Sequence, residues 1–206
     1  MKDQIVLELS HRRDNPRNSE GAFVMLKSGR ILFVYTHYYG ESWADEATAR
    51  LCARFSDDGG RTWSERDEVV VENEGGCNVM SVSLLRLQDG RIALFYLRKN
   101  SIADCRAYLR TSADEGRSWS DPTLCIPAPG YFCVNNDRVI QLSGGRLVMP
   151  AGWHRNRLTA DTPRNDYYSA TDSRGIATFF LSDDAGQSWR EARDWWALPI
   201  RSGSGM

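Results

Sequence analysis

One eight-residue pattern occurs three times in this chain of 206 residues. It reads SDDGGRTW from Ser56, SADEGRSW from Ser112 and SDDAGQSW from Ser182, so all three copies fit S-x-D-x-G-x-[ST]-W. Five of the eight positions are constrained, and three chance matches in so short a chain are not expected. A pattern that recurs at intervals of this length indicates repeated structural units.

Each copy of the pattern follows a similar series of apolar runs. Two runs joined by a Gly-Arg turn come first, as in EGAFVMLKSGRILFVYTHY, SVSLLRLQDGRIALFYLRK and DRVIQLSGGRLVMPAGWH. A third run leads into the eight-residue pattern, which is called the box from here on. Runs rich in Val, Ile, Leu, Phe and Tyr, separated by Gly-containing turns, predict strands joined as hairpins. No segment has a convincing helical period. We therefore predict an all-β fold with four strands per repeat, which is the arrangement of β-propeller blades.

The conserved letters of the box have a structural interpretation. The aspartate can accept hydrogen bonds from the turn, the glycine can adopt a positive φ, and the tryptophan offers apolar surface to a neighbouring unit. A repeated catalytic or calcium-binding carboxylate is the alternative. The residues concerned are Asp58, Gly60 and Trp63, then Asp114, Gly116 and Trp119, and finally Asp184, Gly186 and Trp189.

Composition excludes several classes of function. The chain has 26 basic and 27 acidic residues, which gives no reason to expect nucleic-acid binding. No apolar run approaches the roughly 18 residues of a membrane helix, and the N-terminus does not resemble a signal peptide. Five scattered cysteines without a C-x-x-C pair favour neither a disulfide framework nor a zinc site. We expect no metal or cofactor, and a reducing compartment such as the cytoplasm is favoured.

The boxes resemble the Asp-boxes, or BNR repeats, of the sialidase (neuraminidase) superfamily. The stretches NPRNSEGAFVMLKSGRILFVYTHYYG, NVMSVSLLRLQDGRIALFYLRKNS and GYFCVNNDRVIQLSGGRLVMPAG look like its bacterial exo-sialidase-like branch. The resemblance implies a six-bladed propeller, of which this chain is the N-terminal half and a single partial domain over residues 1–206. We expect blades at about 17–72, 78–126 and 135–198, with a ring-closing strand at 4–10. Later blades of the same protein would complete the ring, and two chains sharing one ring is the alternative.

Strand alternation predicts which face of the propeller carries the site. The Gly-Arg turns and the boxes fall on one face, and the longer loops between second and third strands fall on the other. The connections between blades also reach that second face. Because irregular loops on a rigid scaffold tend to carry function, we expect the site opposite the boxes.

The resemblance implies an exo-α-sialidase-like glycoside hydrolase that removes a terminal acidic sugar with retention. Such enzymes hold the sugar carboxylate with arginines and use an Asp acid/base with a Tyr nucleophile. Arg17 matches the first carboxylate-binding arginine, and Asp45 falls where the acid/base residue is expected. The candidate substrate-binding residues are Arg17, His37, Tyr38, Asn78, Arg98, Asn136, Arg138 and His154.

Two departures leave other functions open. His37 stands where many relatives have an arginine, and the nucleophilic tyrosine with its glutamate belongs to later blades. The 206 residues alone are therefore expected to be inactive. The alternatives are a non-catalytic glycan-binding propeller and a propeller glycosidase for another acidic sugar. In each case the expected partner is a sialoglycan or another acidic-sugar glycan, and neither a nucleic acid nor a membrane.

Overall fold

The computed structural model describes residues 4–158, 162 and 170–197, and every regular element in them is a β-strand. The prediction of an all-β fold is confirmed for this part of the chain. The strands are β1 (Asn18–Met25), β2 (Ile31–Tyr38), β3 (Ala49–Ser56), β4 (Glu68–Val71), β5 (Asn78–Arg86), β6 (Ile92–Ser101), β7 (Asp104–Ser112), β8 (Thr123–Leu124), β9 (Tyr131–Cys133), β10 (Ile140–Gln141), β11 (Leu147–His154), β12 (Ile176–Ser182), β13 (Arg190–Glu191) and β14 (Trp196–Ala197).

The first repeat forms an antiparallel sheet in the order β1-β2-β3-β4, here called blade 1. Its second and third strands are in register from Ile31 opposite Ser56 to Tyr38 opposite Ala49. The connection between them, residues 39–48, is much longer than the turn between the first two strands. The box follows the third strand, which runs antiparallel to the second. This connection, which joins the two strands at their other ends, therefore lies at the end of the sheet away from the box.

Blade 2 (β5 to β8) and blade 3 (β9 to β14) are part of one ten-stranded sheet. The two blades are joined where β7 meets β9 in parallel, with Cys105 opposite Tyr131. Blade 3 thus begins at Tyr131, ahead of the boundary expected near 135, and its first strand is split into β9 and β10. The expected blade end at 198 lies outside the described residues.

Residues 4–10, expected as a ring-closing strand, form no strand in the structure. A strand needs a partner for its backbone groups, and no described strand pairs with this segment. The segment instead lies near blade 1, where the carbonyl of Leu9 accepts a hydrogen bond from Asn18 Nδ2 at 3.1 Å.

The box aspartates are held by hydrogen bonds within their own turns. Asp58 Oδ1 accepts from the backbone N–H of Thr62 at 2.8 Å, and Oδ2 accepts from the Thr62 hydroxyl at 2.7 Å. The hydrogen bonds from Thr62 lower the pKa of Asp58 to about 2. The same pattern binds Asp114 to Ser118 and Asp184 to Ser188.

The blades pack face to face through two apolar clusters. Between blades 1 and 2 the cluster includes Leu32 and Val34 with Leu94. Between blades 2 and 3 it includes Phe95 and Phe180, and Trp189 of the third box packs against it. Burial of this surface is the main stabilising term, and it orders the blades side by side.

Blade 1 exposes an apolar face on the side away from blade 2. Phe23 stacks on Phe33 with ring centroids 4.4 Å apart, and Trp63 lies 6.0 Å from Phe33. Phe23 remains 55% exposed. In blades 2 and 3 the corresponding tryptophans, Trp119 and Trp189, pack into the clusters against the preceding blade. The open face of blade 1 is therefore of the kind that another blade covers.

The far side of blade 3 is open in the same way, with Ile140 51% and Phe179 46% exposed. The two ends of the row of blades thus both present apolar surface. Within the described residues, no helix of a length and hydropathy suited to crossing a membrane is found.

Candidate functional site

A cavity of about 520 Å³ lies where the three blades meet, on the face opposite the boxes. Its walls are formed by the N-terminal ends of the first and third strands of the blades and by the C-terminal ends of the second strands. The loops that follow the second strands complete them. All three blades contribute. The lining residues are Glu20, Asp45, Met80, Ser81, Leu97, Ile102, Cys105, Tyr131, Cys133, Asn135, His154, Thr171 and Ser173.

Asp45 is fixed in this cavity by contacts from two blades. Lys99 Nζ lies 2.9 Å from Asp45 Oδ2, and Arg17 Nη1 lies 3.2 Å from Oδ1. Asn78 Nδ2 donates to the Asp45 carbonyl at 2.9 Å and to the Ala47 carbonyl at 2.8 Å. The loop that carries Asp45 is thus tied to the first two strands of blade 2.

The two carboxyl groups of the cavity differ in their electrostatics. Burial alone would raise the pKa of Asp45, but the charge and hydrogen bond of Lys99, with those of Arg17, outweigh it and lower the pKa. Burial raises the pKa of Glu20, and the nearby Arg17 only partly opposes it. The surroundings therefore shift the pKa values of the two carboxyl groups in opposite directions, down for Asp45 and up for Glu20.

Glu20 reaches the cavity through an irregularity in β1. The register with β2 shifts between Ser19 and Ala22, and Glu20 has a positive φ of 50°. Its carboxylate accepts a hydrogen bond from the Ser19 hydroxyl at 3.2 Å and lies 3.9 Å from Arg17 Nη2. A non-glycine residue in this conformation is uncommon and is held by its surroundings.

The third wall is aromatic. Tyr131 and His154 meet edge to face, with ring centroids 6.4 Å apart, and the ammonium of Lys99 lies 5.3 Å from the centre of the Tyr131 ring. Burial raises the pKa of Tyr131, so its hydroxyl stays neutral. His154 Nδ1 lies 3.0 Å from the carbonyl of Asp172, which fixes the orientation of the ring.

Several buried polar atoms around the cavity have no hydrogen-bond partner among the described residues: the Tyr38 hydroxyl, His154 Nε2 and Asn78 Oδ1. The Tyr38 ring lies under Arg17, with the guanidinium carbon 4.5 Å from its centre. Leaving a buried polar group unsatisfied costs free energy. His154 lines the cavity, whereas Tyr38 and Asn78 are fully buried beside it.

Two of the predicted site residues lie on the opposite faces of their strands. His37 is in hydrogen-bond contact with Asn15 at 2.8 Å, and its other ring nitrogen lies 3.5 Å from Asp67. Arg98 stacks on Tyr108, with its guanidinium carbon 3.9 Å from the ring centre. Neither side chain lines the cavity. Burial also lowers the pKa of His37, which disfavours a cationic role.

The two remaining predicted residues lie at the entrance to blade 3. Asn136 Nδ2 donates to the Gly21 carbonyl at 3.3 Å and so links blade 3 to blade 1 next to Glu20. Arg138 is exposed, and its backbone N–H donates to the Ser83 hydroxyl at 3.1 Å. Of the predicted residues, Asp45 and His154 line the cavity, and Arg138 and Asn136 lie outside the lining. Arg17 and Asn78 lie behind the lining in contact with Asp45, and Tyr38 lies under Arg17.

Lys99 was not among the candidates, although the repeat itself contains the signal that finds it. Tyr38, Lys99 and His154 each follow the arginine of a Gly-Arg turn by eight residues, counted from Arg30, Arg91 and Arg146. The three residues are therefore equivalent, one per blade. Glu20, Tyr131 and Asn135, which also line the cavity, were not among the predicted site residues either.

The lining of the cavity combines carboxyl, hydroxyl, amide and imidazole groups with apolar side chains such as Met80, Leu97 and Ile102. Among the described residues, no group of three or more His, Cys, Asp or Glu side chains is arranged to hold a metal ion. The ionised side chains in and behind the lining are the carboxylate of Asp45, the guanidinium of Arg17 and the ammonium of Lys99. Such groups can bind a charged ligand and can transfer protons.

The fold and the pocket together define an Asp-box propeller of the sialidase type, of which three blades are present. The model of the BNR repeat-like domain matches residues 69–194, and that of the BNR/Asp-box repeat matches residues 54–65. The chain belongs to the BNR repeat-like domain family. A search of the curated protein sequences gives no match.

Solved structures with a similar fold include sialidases. The NanB sialidase of Streptococcus pneumoniae (K499G mutant) matches with a TM-score of 0.63 and 13% identity, over 97% of this chain and 47% of its own. The leech intramolecular trans-sialidase, in complex with 2,7-anhydro-Neu5Ac, gives 0.62 and 12%, over 93% and 45%. A protein of unknown function from Dyadobacter fermentans gives 0.65 and 17%, over 88% and 55%.

At these identities the likeness concerns the fold. The chain spans about half the length of each of these three proteins. The prediction of a β-propeller fold of the sialidase type, seen here as three blades, is confirmed.

Proposed function

We propose that the pocket belongs to an exo-α-sialidase-like glycoside hydrolase that removes a terminal acidic sugar with retention of configuration. The observation that carries the proposal is the ion pair between Arg17 and Asp45, whose carboxylate lines the cavity together with His154. An acidic sugar offers both a carboxylate for the arginine and hydroxyl groups for polar residues of the lining such as Ser81, Asn135 and His154. Guanidinium groups suit carboxylates because of their paired donors.

Arg17 is the proposed carboxylate-binding residue. Its side chain is 28% exposed, and its guanidinium rests on the Tyr38 ring. It contacts Asp45, which lines the cavity, and lies near Glu20. A sugar carboxylate would compete with these groups for Arg17 and would bring its own negative charge close to both of them.

Asp45 is the proposed acid/base residue of the family mechanism. Because it is ionised in the resting pocket, it is equipped to accept a proton from the water that completes hydrolysis. The nucleophile and its activating glutamate are proposed to come from the remaining blades of the ring. No step is assigned to Tyr131, since burial keeps its hydroxyl neutral.

The remaining blades are the proposed partner of the two open faces. The exposed Phe23 and Phe179 and the partly buried Trp63 occupy faces that are covered by a neighbouring blade elsewhere in the chain. Further blades of the same protein would cover both ends at once. Sedimentation analysis of the 206-residue chain tests the alternative, since a second copy completing the ring would give a dimer.

Binding of N-acetylneuraminate, measured by calorimetry on the full-length protein, tests the pocket. We expect Arg17→Ala to weaken binding at least tenfold, because the sugar carboxylate loses its cationic partner. The control is Arg13→Ala, which removes the same charge from a side chain that is 93% exposed and pairs with the exposed Glu41. Equal affinity of the two variants would contradict the assignment.

A measurement of turnover distinguishes the proposed hydrolase from a non-catalytic glycan-binding module. The full-length protein is expected to release 4-methylumbelliferone from its sialoside, and Asp45→Ala is expected to reduce that rate sharply. The engagement of both Asp45 oxygens by cations is the one observation that favours a binding module. Binding without turnover would establish that second function.

A further inference from the structure

We propose that Glu20 is a specificity-determining residue: the pocket binds an acidic sugar together with one proton, and Glu20 is the group that takes up that proton. The inference rests on the proposed function and adds to it the conditions under which the pocket accepts an anion. Glu20 lines the same cavity as Asp45, and both carboxyl groups lie next to the guanidinium of Arg17.

Arg17 is shared by two carboxyl groups before any ligand enters. Its Nη1 lies 3.2 Å from Asp45 Oδ1, and its Nη2 lies 3.9 Å from Glu20 Oε1. With both carboxyl groups ionised, their charges balance those of Arg17 and Lys99, so this cluster has no net charge to attract an anion. Protonation of one carboxyl group leaves one net positive charge, which a ligand carboxylate can neutralise.

The contacts decide which of the two carboxyl groups takes the proton. Lys99 Nζ lies 2.9 Å from Asp45 Oδ2, and the lysine side chain is only 2% exposed, so water shields this pair little. Asp45 therefore keeps a close cation when a ligand carboxylate competes for Arg17. Among the described residues, the closest cation to the Glu20 carboxyl is Arg17, and the hydrogen bond to that carboxyl comes from the neutral hydroxyl of Ser19. Glu20 would thus be left without cationic support.

The other titratable groups around Glu20 come from the loop 39–48 and from strands β2, β6, β7, β9 and β11. Burial raises the pKa values of the phenols and thiols among them, so these groups stay neutral at about pH 7 and below. Burial also raises the pKa of Glu20, which Arg17 opposes only in part. The surrounding groups are Tyr38, Asp45, Lys99, Cys105, Tyr131, Cys133 and His154.

The backbone places Glu20 in the cavity independently of its charge. Glu20 has a φ of 50°, and one residue in the same part of each other blade is also left-handed: Ser81 with a φ of 59° and Asp137 with a φ of 55°. The preceding blade binds both, since the N–H of Ser81 donates to the Thr36 hydroxyl at 3.3 Å and that of Asp137 to the Val82 carbonyl at 3.0 Å. Because the conformation recurs with different side chains, it belongs to the scaffold, and Glu20→Gln is expected to keep it.

An anionic ligand and a proton therefore bind the pocket cooperatively. A ligand carboxylate beside Arg17 adds negative charge near Glu20 and raises the pKa of its carboxyl group further. Since the occupied pocket then holds the proton more tightly than the free pocket, affinity for the anion rises as the pH falls toward the pKa of Glu20 in the free protein. A neutral ligand adds no charge, so its affinity should lack this dependence.

Calorimetry on the full-length protein tests the proposal with two ligands, N-acetylneuraminate and its uncharged methyl ester. For the wild type, the affinity for the acid relative to that for the ester should rise about tenfold from about pH 7 to about pH 5. In Glu20→Gln the ratio should already be about tenfold above the wild-type value at about pH 7, and it should change little with pH. Titrations in two buffers of different protonation enthalpy should show proton uptake with the acid in the wild type and much less in Glu20→Gln.

Asp45→Asn is the matched control, because it removes the same charge from the other carboxyl group beside Arg17. It should keep the pH dependence of the ratio, as should His154→Gln and the exposed Glu41→Gln. A dependence that persists in Glu20→Gln, or that is lost in Asp45→Asn or His154→Gln instead, would overturn the role of Glu20 alone. A wild-type protein that binds neither ligand at either pH would overturn the proposed function.

Discussion

The ammonium of Lys99 lies 2.9 Å from Oδ2 of Asp45, although the two residues belong to different blades. The lysine comes from the end of β6 and the aspartate from the loop after β2. The pair therefore couples the charge of the pocket to the packing of blade 1 against blade 2. Any change at either residue is expected to alter both the electrostatics of the site and the stability of the fold.

Lys99→Met is expected to destabilise the protein by about 2 kcal/mol, because a poorly solvated ion pair loses one partner while Arg17 still contacts Asp45. Urea denaturation measures the change. Lys27→Met is the matched control, since Lys27 is 66% exposed and lies 3.7 Å from Glu115. That variant should lose less than about 1 kcal/mol. Equal losses would show that the buried pair contributes no more than an exposed one.

The carboxyl pKa of Asp45 should rise in the same Lys99→Met variant. The charge of Lys99 and its hydrogen bond are the main influences that lower this pKa against burial, and the variant removes both. Carbon NMR titration of Asp45 provides the measurement. An unchanged midpoint would mean that Arg17 alone keeps Asp45 ionised.

The first box should contribute stability that depends on pH. Asp58 has a folded pKa of about 2, below the ordinary 3.8, so its contribution is present above 3.8 and is lost as the pH falls toward 2. The difference in unfolding free energy between wild type and Asp58→Asn should therefore shrink over that range. Asp57→Asn is the control, because Asp57 makes no bonds within the turn and is 73% exposed. A difference that is constant with pH would contradict the role of the charge.

Gly186→Ala is expected to destabilise the protein by about 2 kcal/mol. Gly186 has a φ of 92°, and a β-carbon there would overlap the side chain of Leu109 on blade 2. Gly144→Ala is the control, since Gly144 has no positive φ and no atom within 4 Å of the added carbon. Thermal unfolding of the two variants measures the difference. A loss below 0.5 kcal/mol at Gly186, within the usual range for a surface change, would show that the blades do not approach each other so closely.

The architecture could be predicted from the sequence because its signals are local. Gly-Arg turns, alternating apolar runs and the boxes each specify a hairpin or a turn from a few adjacent residues. The four-stranded repeat and the all-β fold followed from them. Two features of blade 3 did not follow from these local signals, because both depend on contacts between blades. They are the split of its first strand and its junction with β7, where Cys105 lies opposite Tyr131.

The site was harder to predict because neighbouring residues in a strand point to opposite faces. His37 and Tyr38 are adjacent, as are Arg98 and Lys99, yet only the second of each pair lies on the side of the pocket. A shift of one residue reverses that assignment, and the bulges in β1 and β5 show how local irregularity alters register. Glu20 reaches the cavity through such a bulge, which the residue pattern does not reveal.

Tyr38, Lys99 and His154 occupy equivalent positions in the three blades, so the chemical character of the site can be changed one blade at a time. One position, repeated in each blade, holds a phenol, an ammonium and an imidazole around a common centre. Since each side chain comes from a separate hairpin, one can be exchanged while the other two strands keep their register and packing. An engineer who wished to change which ligands the cavity accepts could therefore vary these three positions combinatorially, with the boxes on the far face left untouched.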